Sequence, residues 1–224
     1  AFPVGVGLAL VLGVLVNYFG SAKGDPLFIF VGMAFIAVAI FLNGFAYKKA
    51  LNKSRELSLR GIFLAVAAGI IMAFFYRFVA LSMDLDNFAS PAAGKLTPYT
   101  AVFIFSVGVF ASNFIFNTMM MKYPVQDKPI PVSGYFKGSL TTHLVGVLGG
   151  IIWCLGQSLS MIASGKAGAA ISYGLGQGAT LVSALWGILI WKEFRGAPRL
   201  SVYLNIGMFV LFIIGLGMLI YAGA

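Results

Sequence analysis

A chain of 224 residues that is 60% hydrophobic and only 9% charged, with a mean hydropathy of +0.98, is not a water-soluble globule, in which about a quarter of residues carry charge. Its composition is that of a polytopic membrane protein. The net charge of +9 does not call for a nucleic-acid partner, because the basic residues sit in short loops between apolar runs, where the retention of Lys and Arg on the cytoplasmic side accounts for them.

Seven apolar runs are long enough to cross a hydrocarbon core of about 30 Å at about 1.5 Å per helical residue. They extend over Phe2 to Phe19, Pro26 to Tyr47, Gly61 to Met83, Pro98 to Met121, Thr141 to Ala163, Gly168 to Trp191 and Ser201 to Ala222. The first lacks the charged n-region and cleavage site of a signal peptide. With no initiator methionine and an odd number of runs, the chain is expected to begin partway through a longer protein. Asp25 before Pro26 and Thr97 before Pro98 each place an N-cap residue ahead of proline at the first helical position, so those two starts are the sharpest.

Loop charge sets the expected orientation. Lys48, Lys49, Lys53, Arg55 and Arg60 follow the second run, Lys122, Lys128 and Lys137 the fourth, and Lys192, Arg195 and Arg199 the sixth. The opposite loops hold only Lys23, Lys95 and Lys166. The basic loops are therefore cytoplasmic and the C-terminus outside, and the Asn52-Lys53-Ser54 acceptor sequence would go unglycosylated there. A weak internal repeat accompanies this topology: Ala1, Gly5, Gly7 and Leu12 recur at a constant offset as Ala170, Gly174, Gly176 and Leu181, and each run is followed by a loop and a helix carrying Gly-Met, at Gly32-Met33 and Gly207-Met208. By the charge count the two copies are inverted, the arrangement that underlies alternating access.

The sixth run carries the polar groups that matter most. On a helix, Tyr173, Gln177, Thr180 and Ala184 form one stripe, and that stripe should face protein or a water-filled cavity. Gly174, Gly176 and Gly178 serve either close helix approach or a local break that acts as a hinge. On the fifth run Gly146, Gly149, Trp153, Gln157, Ser160 and Ser164 share a face, and the fourth adds Ser106, Asn113 and Asn117. Two amides and two flat rings suit a small uncharged polar solute such as a sugar, ureide or nucleobase. Hydrogen bonding between helices explains the same residues equally well. The candidate substrate-binding set is thus Gln177, Tyr173, Gln157, Trp153, Asn113 and Thr180.

Ionisable groups are peripheral. Arg77 is expected to snorkel to the outer interface near Asp84, with a gate as the sharper alternative, and His143 sits at the start of the fifth run. Asp25, Asp84, Asp86 and Asp127 are in loops or at ends, and Glu193 closes the sixth run, so no carboxylate relay is present. Coupling to a proton or ion is left open. Cys154 is the one cysteine and His143 the one histidine, which excludes an intrachain disulfide, and with only peripheral carboxylates no metal-ligand cluster or Ser/His/Asp set can be assembled. Ser164-Gly-Lys-Ala and Gly174-Leu-Gly-Gln-Gly fail as phosphate-loop and dinucleotide motifs. Neither an enzyme nor a cofactor is expected.

The stretches GKLTPYTAVFIFSVGVFASNFIFNTMMM, YFKGSLTTHLVGVLGGIIWCLGQS and IASGKAGAAISYGLGQGATLVSALWGILIWKEFRGAP resemble the ureide permease and sugar-transporter branch of the drug/metabolite transporter superfamily. The resemblance implies an all-α membrane protein of ten helices in an inverted 5+5 repeat, of which this chain is similar to the last seven. Residues 1–47 then correspond to the last two helices of the N-terminal repeat, 48–60 to a basic cytoplasmic linker and 61–224 to the C-terminal five-helix repeat. Plant ureide permeases carry a Walker-like sequence in a long central loop, and here that loop is short and has none. Glu193 matches a position where such proteins keep an acidic residue, in a topological or structural role. The reading is a multi-pass carrier of the bacterial inner membrane moving a small neutral metabolite, its oligomeric state open. The rivals are export of broader amphipathic compounds, favoured by a wide apolar cavity, and a non-transporting scaffold, favoured by a shut bundle with both glutamines bonded to neighbouring helices.

Overall fold

The computed structural model describes residues 2–50, 59–125 and 128–224. Lys53, Arg55, Asp127, the Asn52-Lys53-Ser54 acceptor and Ala1 of the repeat lie outside the described residues, as does most of the 48–60 linker. The chain is all-helical, and among the described residues the only β pairing is an isolated bridge between Met83 and Leu96. The helices are α1 (Phe2–Gly20), α2 (Pro26–Ala50), α3 (Leu59–Ser82), α4 (Pro98–Lys122), α5 (Ser133–Phe136), α6 (Leu140–Ala167), α7 (Ala169–Gly176), α8 (Gly178–Leu189) and α9 (Arg199–Ala222). Five of them, α2, α3, α4, α6 and α9, are long and apolar enough to cross a membrane.

The starts expected from proline and its preceding cap hold. Asp25 Oδ1 accepts from the Leu27 N–H at 2.8 Å, and Thr97 Oγ1 accepts from the Thr100 N–H at 3.2 Å. Each supplies an acceptor to amides that the helix itself leaves unpaired. Ser139 does the same for α6 through the Thr142 N–H.

Two helix pairs form the frame. On α2 and α9, a Cβ on Gly32 would lie 2.8 Å from the Gly215 carbonyl oxygen, and a Cβ on Gly215 would lie 2.7 Å from that of Gly32. On α1 and α3, a Cβ on Gly69 would lie 2.7 Å from the Gly5 carbonyl oxygen. Only glycine lets backbones approach this closely, and in lipid such packing replaces the hydrophobic drive between helices. Between the pairs sits α7, in which Ala169 to Gly174 are all buried. A short helix buried on every side is the centre of the bundle, and Leu10, Val14, Ile29, Ile36, Phe212 and Leu219 pack around it. By contrast α4 and α6 are peripheral, α6 burying only Met161 and Ser164 and showing apolar side chains along most of its length, as lipid-facing helices do.

The sixth apolar run is not one continuous helix. It stops at Gly176 and restarts at Gly178. The Gln177 N–H bonds the Gly174 carbonyl at 3.1 Å and the Thr180 N–H bonds the Gln177 carbonyl at 3.0 Å, three-residue spacings that tighten the chain on both sides of the junction. Glycines on either side of Gln177 supply the backbone freedom for it.

Candidate functional site

In the first turns of α8 after the junction, Thr180 and Ala184 face a small cavity between α1, α2, α8 and α9. Val6, Ile40, Ala184, Met208 and Phe212 make its apolar walls, and Asn43 and Thr180 are its polar groups. Its volume is about 20 Å³, room for a single water. Thr180 Oγ1 donates to the Gln177 carbonyl at 2.7 Å, across the helix junction. The Asn43 Nδ2 is buried and has no partner. An unpaired amide in an apolar interior costs about 1–3 kcal/mol. Asn43 escaped the sequence reading although its signal was present, as the lone carboxamide within FIFVGMAFIAVAIFLNGFAY.

Tyr173 stands beside the cavity rather than on its wall. Its hydroxyl donates to the Ala9 carbonyl at 2.9 Å and lies 3.4 Å from that of Met72, and its ring occupies the space that Gly13 leaves free. It ties α7 to α1 and α3. Tyr76 makes the matching tie to α6, donating to the Ser160 carbonyl at 2.9 Å, and the two tyrosine rings meet edge to face at 5.6 Å.

From Tyr173 an aromatic chain runs outward through Phe75 and Phe105 to Trp153, with centroid spacings of 6.4, 5.5 and 6.1 Å. Trp153 is half exposed. Gln157, one helical turn from it, has its Nε2 buried without a partner. The candidate residues therefore fall into two separate groups: Thr180 at the cavity with the Gln177 backbone, and Trp153 with Gln157 along α6. Asn113 joins neither, being exposed on α4 and hydrogen-bonded to Asn117. Of the glycines, Gly174 serves close approach, a Cβ there meeting Leu219 Cδ1 at 2.7 Å, while Gly176 has open space around it and Gly178 only a Leu216 methyl at 3.7 Å.

The bundle's ends are closed by polar contacts. At one end Lys23 Nζ donates to the Gly165 carbonyl at 2.7 Å and Lys95 Nζ to that of Leu81 at 2.8 Å, each cation meeting free carbonyls near a helix C-terminus. The Arg77 guanidinium lies against Gly20, and the Asp84 carboxylate is occupied by backbone N–H groups of Ala92, Asn87 and Asp86. At the other end the Tyr47 hydroxyl donates to Glu193 Oε2 at 2.5 Å. The Gly187 position leaves room for both. His143 packs against the Tyr135 ring at 4.9 Å. Among the described residues no cluster of His, Cys, Asp and Glu is placed to hold a metal ion.

A bundle of long apolar helices packed around an interrupted, buried helix defines a multi-pass membrane protein. The family pattern of the ureide permeases matches residues 31–222, and the chain belongs to that family. It is 26% identical to ureide permease 1 of Arabidopsis thaliana over 84% of this chain and 48% of that protein, and 27% identical to ureide permease 5 of the same plant over 81% and 44%. Probable ureide permease A3 of Vigna unguiculata is 26% identical over 72% and 43%. The chain thus spans about half the length of the curated relatives it matches. No solved structure matches it.

Proposed function

We propose that this protein carries a small neutral polar metabolite of the ureide class across a membrane by alternating access, with the cavity at the Gln177 junction as its substrate site. The observation that carries this reading is the unpaired, buried Asn43 amide facing a broken helix. Ureides are rich in carbonyl acceptors, which the Asn43 N–H groups would satisfy, and the Thr180 hydroxyl and Gln177 carboxamide complete a neutral donor and acceptor set. Room for one water means the site is closed as it stands. Gly176 and Gly178 are the hinge about which α8 moves to admit substrate, while Tyr173 and Gly174 keep α7 fixed against the frame.

In this reading α1 and the α7–α8 pair cross the membrane together with the five long helices, giving seven passes with the basic loops cytoplasmic. Helices α1–α2 and α3–α9 correspond to parts of two inverted repeats. Gln157 and Trp153 line a second station on the path along α6, and Asn113 is farther from it. The family of the relatives favours transport over catalysis. The unbonded Gln157 amide speaks against a sealed scaffold.

Uptake of labelled allantoin, a monosaccharide and a nucleobase into cells expressing the protein tests the reading. Saturable allantoin uptake is expected, lost in Asn43→Leu and in Gln177→Leu at equal membrane expression. Uptake of all three solutes at the level of untransfected cells, or allantoin uptake indifferent to both substitutions, would sink it.

A further inference from the structure

A second cavity, of about 400 Å³, opens at the basic end of the bundle between the end of α8 and the first half of α9. Its floor is apolar, made by Ile188, Val202, Ile206 and Phe209, and two cations, Lys192 and Arg195, stand at its rim. The turn that carries them is tightly built. Lys192 is held at a positive φ of 54°, the Arg195 N–H bonds the Lys192 carbonyl at 2.9 Å, and the Glu193 N–H bonds the Gly187 carbonyl at 3.1 Å. Glu193, the one acidic group in this turn, is drawn away to Tyr47, so that among the described residues no carboxylate lines the cavity and no ion pair is made by its two cations.

Asn205 also borders the cavity. It is 5% exposed, and its Oδ1 is buried without a donor, so the bundle makes no use of that oxygen. It lies six residues into α9 from Arg199, about 9 Å below the helix start at about 1.5 Å per residue.

We propose that this groove binds one anionic glycerophospholipid. The phosphate sits between Lys192 and Arg195, the glycerol ester region at the depth of Asn205, and an acyl chain along Ile188, Val202, Ile206 and Phe209. A free phosphate would leave the apolar floor uncovered, and a neutral metabolite would leave the two cations unpaired. A lipid with a negative head group satisfies both, as basic pockets between membrane helices do. The proposal is independent of what the protein transports.

Native mass spectrometry of the full chain, released from detergent with added phosphatidylglycerol or phosphatidylcholine of identical acyl chains, tests it. Phosphatidylglycerol is expected to stay bound where phosphatidylcholine leaves. At about 1 kcal/mol per basic residue, Lys192→Ala with Arg195→Ala lowers its retention about thirty-fold, while Lys48→Ala with Lys49→Ala changes nothing. Ile206→Trp fills the floor without changing charge and also lowers retention, which keeps the test sound should the double substitution impair folding. Equal retention of the two lipids overturns the proposal. So does displacement of the lipid by inorganic phosphate, which would mark a site for soluble anions, or by allantoin, which would mark a vestibule of the transport path.

Discussion

The Tyr173 ring lies where Gly13 has no side chain, so that a single methyl added at Gly13 would overlap the ring. That fit, with the Tyr173 hydroxyl on the Ala9 carbonyl at 2.9 Å, fastens the first half of the interrupted helix to α1. Gly13→Val should therefore destabilise the bundle by about 1–3 kcal/mol through overpacking, and Tyr173→Phe by about 0.5–1.5 kcal/mol through the lost hydrogen bond. Thermal unfolding in detergent, followed by the loss of monodisperse protein, measures both. Equal stability of Gly13→Val and the parent would show that α7 is not seated as described.

Asn43 sets stability against function. Because its Nδ2 is buried and unpaired, Asn43→Leu removes a polar group that costs about 1–3 kcal/mol to leave unsatisfied and should leave the midpoint of unfolding unchanged or higher. The same substitution should abolish uptake. A purely structural asparagine would behave in the opposite way, losing stability and sparing transport. Thr180→Val, which keeps the shape and removes the hydroxyl bonded to the Gln177 carbonyl, is expected to reduce uptake with little change in stability.

How far the fold could be read beforehand depended on which residues carried the signal. Helix starts were legible because Asp25 and Thr97 act locally, through side chains that reach the next turn. The junction at Gln177 was legible only as a choice between close packing and a break, since glycines serve both. The bundle uses Gly174 for one and Gly176 and Gly178 for the other. Pairing between helices was not legible. The recurrence of Gly-Met at Gly32 and Gly207 does not mark equivalent contacts, because Gly32 meets Gly215 while Gly207 faces Leu42. Tyr173 stood out as a polar residue in an apolar run, yet whether its hydroxyl met a ligand or a carbonyl depended on α1 and α3, which are far away in sequence. Asn43 was overlooked because the rest of its cavity is built largely by α1, α8 and α9, which are far away in sequence.

Asp84 organises the connection between α3 and α4. Its carboxylate accepts from the N–H groups of Ala92 at 2.9 Å, Asn87 at 3.1 Å and Asp86 at 3.3 Å. These bonds, that of Ala92 foremost, hold its pKa below the ordinary 3.8, and nearby Lys95 acts in the same direction. A lowered folded pKa means that the contribution to loop order is complete above the unfolded value and is lost as pH falls through the folded one. Hydrogen exchange at the Asn87 and Ala92 amides should accordingly show constant protection, corrected for intrinsic rates, from neutral pH down to about 4, then falling protection below it. Asp84→Asn should lack that acid transition and be less protected throughout.

At the basic end, Tyr47 and Glu193 join the end of α2 to the turn after α8, with a donor to acceptor distance of 2.5 Å. The Phe194 ring adds an edge contact to Tyr47 at 4.9 Å. If α8 is the half-helix that moves, this bond is the latch that opposes its opening. Tyr47→Phe keeps the ring contact and removes the donor, leaving Glu193 beside Gly187 without a partner hydroxyl. A hydrogen bond to a charged group contributes about 1.5–3 kcal/mol, so the open fraction should rise by about tenfold or more. The readout is the rate at which a membrane-impermeant maleimide reaches Thr180→Cys from the basic side, in a Cys154→Ala background. Faster labelling in Tyr47→Phe and in Glu193→Gln, reversed by allantoin, is the expected result. Unchanged labelling in both variants would reduce the Tyr47–Glu193 bond to a local cap and place the moving part elsewhere in the bundle.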